Sequence, residues 1–213
     1  MDTTIQLIYC DGKSRWRNTI AAQQQYLAGT RHGDTVYRQP LYFIDQNWKK
    51  PNFISYAKFI EKYKPTMASV IDITDNATLL ESLAWAEAIA PFVDYIILIP
   101  KISVYIPAQL YGKEVVLGYS VPTKYGGTYI DDKYFDKHKV HLLGGSPHVQ
   151  LGYRGRFNIF SVDVNYHGMM ATKFRHYWTN GSRKWIKGDT AEQCFTQSSI
   201  NIRNEWYGIS NTL

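Results

Sequence analysis

Cysteine is nearly absent from this chain. Cys10 and Cys194 are the only two and stand far apart, which excludes a disulfide framework and, without a CxxC pair, a zinc ribbon. Long hydrophobic runs are missing too: the longest apolar stretch, Tyr95 to Pro100, is far too short to cross a bilayer. The start, Met1-Asp-Thr-Thr-Ile5, has neither the basic opening nor the apolar core of a signal peptide, so a cytosolic (cytoplasmic) protein with no membrane partner is expected. Neither GxGxxG nor GxxxxGK(S/T) occurs, leaving a nucleotide-binding Rossmann or P-loop unit without support. The histidines, including His138, His141 and His148, show no metal-ligand spacing, and neither a metal nor another cofactor is expected. There is no internal repeat and no low-complexity linker.

Acids are in deficit. Against 18 Asp and Glu stand 24 Lys and Arg, a net charge of +6 and a pI near 9.1. That balance favours a polyanionic partner, because Lys and Arg displace counterions from phosphates; a merely basic soluble protein is the alternative. Aromatics make up 15% of the chain, with 17 Tyr and 6 Trp, and either fill a core or offer stacking surfaces to bases. The 213 residues, 45% hydrophobic and 20% charged, suffice for one domain over 1–213 that buries a core without staples.

Residues 5–9 read as a short strand, and 11–40 as polar and loop-rich with a helix around 20–27. A regular alternation follows. Strands are expected at 41–45, 67–72, 93–99, 114–121, 140–143 and 157–164. Helices are expected at 53–63, from a cap at Asn76 to about 90, and from about 166 to 178. Several strands are apolar on both faces, the mark of parallel strands covered by helices. Seven strands in this order predict an α/β fold: a compact TIM-like (β/α) barrel, complete or slightly degenerate, with short connections. A doubly wound open sheet is the alternative.

Two buried-strand segments, His141-Leu-Leu-Gly-Gly-Ser-Pro147 and Phe160-Ser-Val-Asp-Val-Asn165, end in residues that a strand interior disfavours. In parallel α/β folds the ligand sits at the carboxyl ends of the strands. Those ends carry Asp45, Asp72, Lys101, Ser120, Gly144 with Gly145, and Asp163 with Asn165. Singly, Asp45 could pair with Lys49 or Lys50, Asp72 could cap a turn, and the glycines could serve only a tight turn. Jointly, three acids at three strand ends repel unless a ligand, protons or cations compensate, which points to a functional cluster. The trio could instead hold Mg²⁺, but the bare glycine backbone beside it suits a planar heterocycle better.

At these residues the chain resembles the tRNA-guanine transglycosylase superfamily, especially its DNA-acting deazaguanine and phage-associated branch. In that family one barrel strand ends in a Leu-Met-Gly-Val-Gly-type segment and the next in a Phe-Asp-Cys-type segment. Leu142-Leu-Gly-Gly-Ser-Pro147 and Ser161-Val-Asp163 stand in those places. The Asp of the family's Asp-Ser-Gly-Gly-Phe segment falls on Asp45, its base-recognising Asp on Asp72, and its Gly-Val-Gln-Gly segment on Leu117-Gly-Tyr-Ser120. Order and spacing agree over a core of about 41–178. The chain departs from the family after Asp45, where Gln-Asn-Trp replaces Ser-Gly-Gly, and in lacking the zinc-binding cysteines and a separate tRNA-binding domain. These departures argue against tRNA as substrate and leave DNA, or free or single-stranded nucleic acid, as the partner.

It further implies cleavage of an N-glycosidic bond on a flipped or single-stranded nucleotide. Asp163 is then the carboxylate at C1′ and Asp45 the group that protonates the leaving base. Asp72, Gly144 and Gly145 would read the base, Asn165 would orient sugar or carboxylate, and Tyr119, Ser120 and Lys101 would complete the pocket. Burial beside other acids should raise at least one carboxyl pKa. A basic, aromatic segment at about 173–213 contains Lys173, Arg175, Trp178, Arg183, Lys184, Trp185 and Lys187. With Arg15-Trp16-Arg17 and Trp48-Lys49-Lys50, it offers cations interleaved with stacking rings for nucleic acid. The expectation is a DNA glycosylase that removes a modified base and leaves an abasic site, in defence against phage. A base-exchanging transglycosylase, a non-catalytic nucleic-acid-binding barrel and a metal-dependent nuclease are the alternatives.

Overall fold

A computed structural model describes residues 4–123 and 126–209. In chain order its strands are β1 (Gln6–Cys10), β2 (Leu27–Arg31), β3 (Phe43–Asp45), β4 (Met67–Ile73), β5 (Tyr95–Pro100), β6 (Gln109–Leu110), β7 (Lys113–Ser120), β8 (Lys139–Leu143) and β9 (Ile159–Asp163). A hairpin of β10 (His176–Trp178) and β11 (Trp185–Lys187) follows. Each barrel strand pairs parallel to the next, β5 pairs with β7, and β9 returns to β1. The result is a closed, eight-stranded parallel barrel, the expected TIM-like architecture. The short β6 lies antiparallel on β7.

The helices are α1 (Arg15–Gln23), α2 (Phe53–Tyr63), α3 (Asn76–Ile89), α4 (Pro147–Leu151), α5 (Tyr166–Met169) and α6 (Ala191–Tyr207). Among the described residues, β1, β3 and β4 are followed by a full-length covering helix before the next barrel strand and the other barrel strands are not. The expected bounds of α2 hold, set by Asn52, whose side chain accepts from the Ser55 amide, and by Lys64 in the left-handed conformation. None of the described helices is long and apolar enough to cross a membrane.

Four local expectations are corrected. The eighth strand, β2, was hidden in the loop-rich segment, because Leu-Ala-Gly-Thr-Arg lacks the β-branched density that marks the others. The helix expected at 20–27 lies earlier, at Arg15–Gln23, because the Ser14 side chain caps it by accepting from the Arg17 amide. Helix α3 is capped by Asp75 through a reciprocal pair with Thr78, so Asn76 is its first residue. The single helix expected over 166–178 is broken: α5 passes into a π-helical turn at Met170–Phe174, stops at Arg175 with φ 53°, and gives way to β10.

The barrel interior is plugged by Ile8, Phe43, Met67, Ile97, Ile99 and Val116, together with a buried His141 whose Nδ1 meets the Ser161 hydroxyl at 2.7 Å. A larger core lies between barrel and helices. Side chains alternate along a strand. Cys10, Asp45 and Lys101 therefore point inward one step above Ile8, Phe43 and Ile99, and Asp163 one step above Ser161. The alternation places a polar layer on top of the apolar plug.

Candidate active site at the barrel mouth

That polar layer floors a cavity of about 930 Å³ whose wall includes Cys10, Arg31, Asp45, Asp72, Lys101, Ser120, Gly144, Gly145, Asp163 and Asn165. All stand at or just beyond the carboxyl ends of barrel strands. The floor is dominated by two acids. Asp163 is 7% exposed; its Oδ2 accepts from the Asn165 side-chain amide at 3.3 Å, and its Oδ1 is buried without a hydrogen-bond partner. Burial, and after it the charge of Asp45, pushes the Asp163 carboxyl up to about 8, while a hydrogen bond from the Cys10 thiol pulls the other way. Burial also pushes Asp45 up to about 6, opposed by its bond from Ser69 and by Arg31, and reinforced by Asp72.

Asp45 is firmly oriented. The Ser69 hydroxyl donates to its Oδ1 at 2.6 Å and accepts from the Gln46 amide at 3.0 Å, while Tyr56 holds the Ser69 carbonyl from α2. Asp45 therefore pairs with neither Lys49 nor Lys50. Asp72 does not act as a cap; its carboxylate meets Lys101 Nζ at 3.5 Å. Burial raises the Asp72 carboxyl against that attraction, and lowers Lys101. Among the described residues no three His, Cys, Asp or Glu side chains converge as metal ligands.

The opposite wall is bare backbone. Gly144 and Gly145 have φ of 66° and 84°, a conformation that side-chain-bearing residues resist. A Cβ on Gly145 would also lie 2.5 Å from Val121, whereas one on Gly144 would meet nothing within 4 Å. Gln150 of α4 ties this wall to the acid: its Nε2 donates to the Gly144 carbonyl at 2.6 Å and to the Asp163 carbonyl at 2.7 Å.

Of the anticipated residues, Tyr119 is a correction. It faces away from the cavity, its hydroxyl bonded to that of Tyr153 at 3.1 Å and its ring packed on Phe135 and Phe157, because inward-facing Ser120 leaves its neighbour on the outer face. Arg17, Trp48 and Lys173 reach the cavity rim. Arg15 and Trp16 line a neighbouring groove on α1, and Lys49 sits over the Trp48 ring with Lys50 exposed beside it. Arg175, Arg183, Lys184, Trp185 and Lys187 lie on or near the β10–β11 hairpin, and none of them lines the cavity. There Arg183 pairs with Glu205 at 3.6 Å, Trp185 packs edge-on against Trp178, and Trp178 is 1% exposed. Trp178 is a core residue, not a stacking platform. The last four residues of the anticipated 173–213 segment fall outside the described residues.

Cys10, Asp11, Arg31, Ser69 and Gln150 were not anticipated. The first two lie just past the end of the strand expected at 5–9, and Arg31 ends the unrecognised β2. Ser69 and Gln150 act through contacts between elements, for which the sequence carries no signal.

Over residues 21–207 the chain matches the model described as a family of unknown function (DUF6610), and it belongs to that family. No curated protein matches it.

Proposed function

We propose that this DUF6610 member is a DNA glycosylase that cleaves the N-glycosidic bond of a modified nucleobase. The observation that carries the reading is the acid pair. Asp163 is buried and Asp45 half-buried at the floor of the cavity, the charge of Asp45 opposes ionisation of Asp163, and their pKa values stand apart at about 6 and about 8. At neutral pH such a pair holds one proton, so one member can donate while the other carries charge. A purely binding barrel gains nothing from seating a buried acid beside a second carboxylate that opposes its ionisation.

Glycosidic cleavage needs both forms at once. The partner-free Oδ1 of Asp163 meets the anomeric carbon, since an oxygen already accepting strong hydrogen bonds is a weaker nucleophile. The proton that the pair holds favours Asp163, the weaker acid of the two. Positive charge growing on the sugar favours an ionised Asp163 and moves that proton to Asp45, which delivers it to the departing base. The C1′–N bond breaks with its electron pair on the base. Water then adds at C1′ and gives its proton back to Asp45, leaving an abasic site. The Asp72–Lys101 couple, which offers an acceptor beside a donor, and the Gly144 backbone take the edge and face of the base.

The decisive assay incubates the protein with DNAs that carry different modified bases and analyses the products by mass spectrometry. Free base with abasic sites is the expected result. Incorporation of a labelled deazaguanine would move the assignment to base exchange. No released base from any of these DNAs, or activity lost to EDTA, would overturn the glycosylase reading.

A further inference from the structure

One arc of the mouth is cationic. Strands β9, β1 and β2 are neighbours in the barrel. The segment after β9 brings Lys173 to the cavity, and the segment after β1 brings Lys13 and Arg17. Three of the cavity's cations are ion-paired: Arg17 with Asp11 at 2.6 Å, Arg31 with Asp34 at 2.9 Å and Lys101 with Asp72 at 3.5 Å. Lys13 and Lys173 are exposed and pair with no carboxylate among the described residues.

Arg17 is built into the wall. Its side chain is 13% exposed, and its Nε donates to Asp11 Oδ2 at 2.6 Å. The Tyr9 hydroxyl donates to the same oxygen at 3.1 Å, which holds the carboxylate from the other side. The Arg17 stem runs beneath Gly168 of α5, where a Cβ would come within 3.6 Å of Arg17 Cδ and 2.7 Å of the Tyr9 hydroxyl. A guanidinium clamped through Nε at a cavity wall is preorganised for a bidentate oxyanion.

We propose that Lys13, Arg17 and Lys173 form a phosphodiester subsite that grips the backbone phosphate next to the sugar under attack. The substrate is then a nucleotide within a polynucleotide strand and not a free nucleoside. The placement follows from charge: a phosphate is repelled by the Asp45–Asp163 floor, and the two unpaired lysines, Lys13 and Lys173, lie with Arg17 on the β9–β1 side. The phosphate rests on that side, the base lies towards the Gly144–Gly145 wall, and the sugar sits between them. This orientation rests on the glycosylase reading; the binding of phosphate does not.

The test uses a fluorescein-labelled, single-stranded 12-mer of abasic tetrahydrofuran units, which has phosphates but no base to release, with a mixed-sequence 12-mer alongside. Fluorescence anisotropy over a series of KCl concentrations reads affinity and salt slope. Arg17→Gln is expected to weaken binding about tenfold and to take about 0.7 off the magnitude of the salt slope, the share of one phosphate contact on a single strand. Arg17→Lys should keep part of the affinity, because the charge remains while the fork is lost. Because Arg17 also pairs with Asp11, a Lys13→Gln/Lys173→Gln double variant supplies an independent reading from two exposed positions. It too should lose about tenfold, whereas Lys62→Gln, near the far end of α2, should change nothing. Wild-type affinity of the double variant for the abasic 12-mer at every salt concentration would overturn the subsite. Loss of binding in these variants, with no base released from any DNA, would uphold the subsite and remove the glycosylase reading.

Discussion

Asp163 and Asp45 impose a cost on the fold. A carboxyl whose pKa rises on folding, here from an ordinary 3.8 to about 8 for Asp163, binds its proton more tightly in the folded than in the unfolded chain. Stability is therefore greatest below about pH 4 as far as this group is concerned, and it falls as pH rises towards 8. Asp163→Asn removes that loss. Its melting temperature at pH 8 should exceed wild type by ~2–4 °C, the equivalent of about 1 kcal/mol for a chain of this size, and the gap should close at pH 4. Scanning calorimetry at the two pH values decides it; a variant less stable than wild type at pH 8 would mean that the buried carboxylate is compensated by contacts other than those described. The same pair sets the rate. Base release should rise through about pH 6 as the pair sheds its first proton and fall through about pH 8 as it loses the second. Asp45→Asn and Asp163→Asn should each cut base release ~10²–10⁴-fold, the usual weight of one acid–base group, with affinity for DNA largely kept.

Between elements, the site depends on a few cross-ties. Gln150 sits on the short α4 yet holds the last turns of two strands, through the carbonyls of Gly144 and Asp163. Gln150→Leu preserves the volume and leaves both carbonyls without this donor, which should cost about 1–3 kcal/mol. Base release should fall below what that destabilisation explains, because the Asp163 backbone loses its tether. Thermal melts and rates measured well below the melting point separate the two effects. Gly145→Ala should be at least as damaging, since a Cβ there would meet Val121 at 2.5 Å in a backbone conformation with φ 84°. These cross-ties are also where the sequence was least legible. The strand ends could be read from hydrophobic runs stopping at Asp45, Asp72 and Asp163, because alternation is a local property. That Ser69 would orient Asp45, or that Gln150 would join two strand ends, depends on neighbours across the barrel.

At the scale of the molecule, the cavity's unpaired cations among the described residues, Lys13 and Lys173, stand on one side of the barrel mouth, and the basic hairpin lies outside the cavity. If the mouth tracks a strand of DNA, affinity should fall steeply between 50 and 200 mM salt, with a slope of about −0.7 per phosphate contacted on a single strand; a flat dependence would remove nucleic acid as the partner. Substitutions confined to the hairpin, such as Lys184→Gln and Lys187→Gln, should then weaken binding less than those at Lys13 and Lys173.

The alternation of buried strands and helices, the parallel α/β class and the acids and glycines at the strand ends were all readable from residue order, since each is a pattern within a dozen positions. It left β2 unseen, because five residues with a central glycine carry little local signal. Long-range packing settled that Asp45 and Asp163 share one floor, that Asp72 pairs with Lys101, and that Tyr119 turns away. The cause is closure. Pairing Gln6–Ile8 with Ser161–Asp163 joins the two ends of the barrel and brings Cys10 to the Asp163 carboxyl, which lies 153 positions away in the chain.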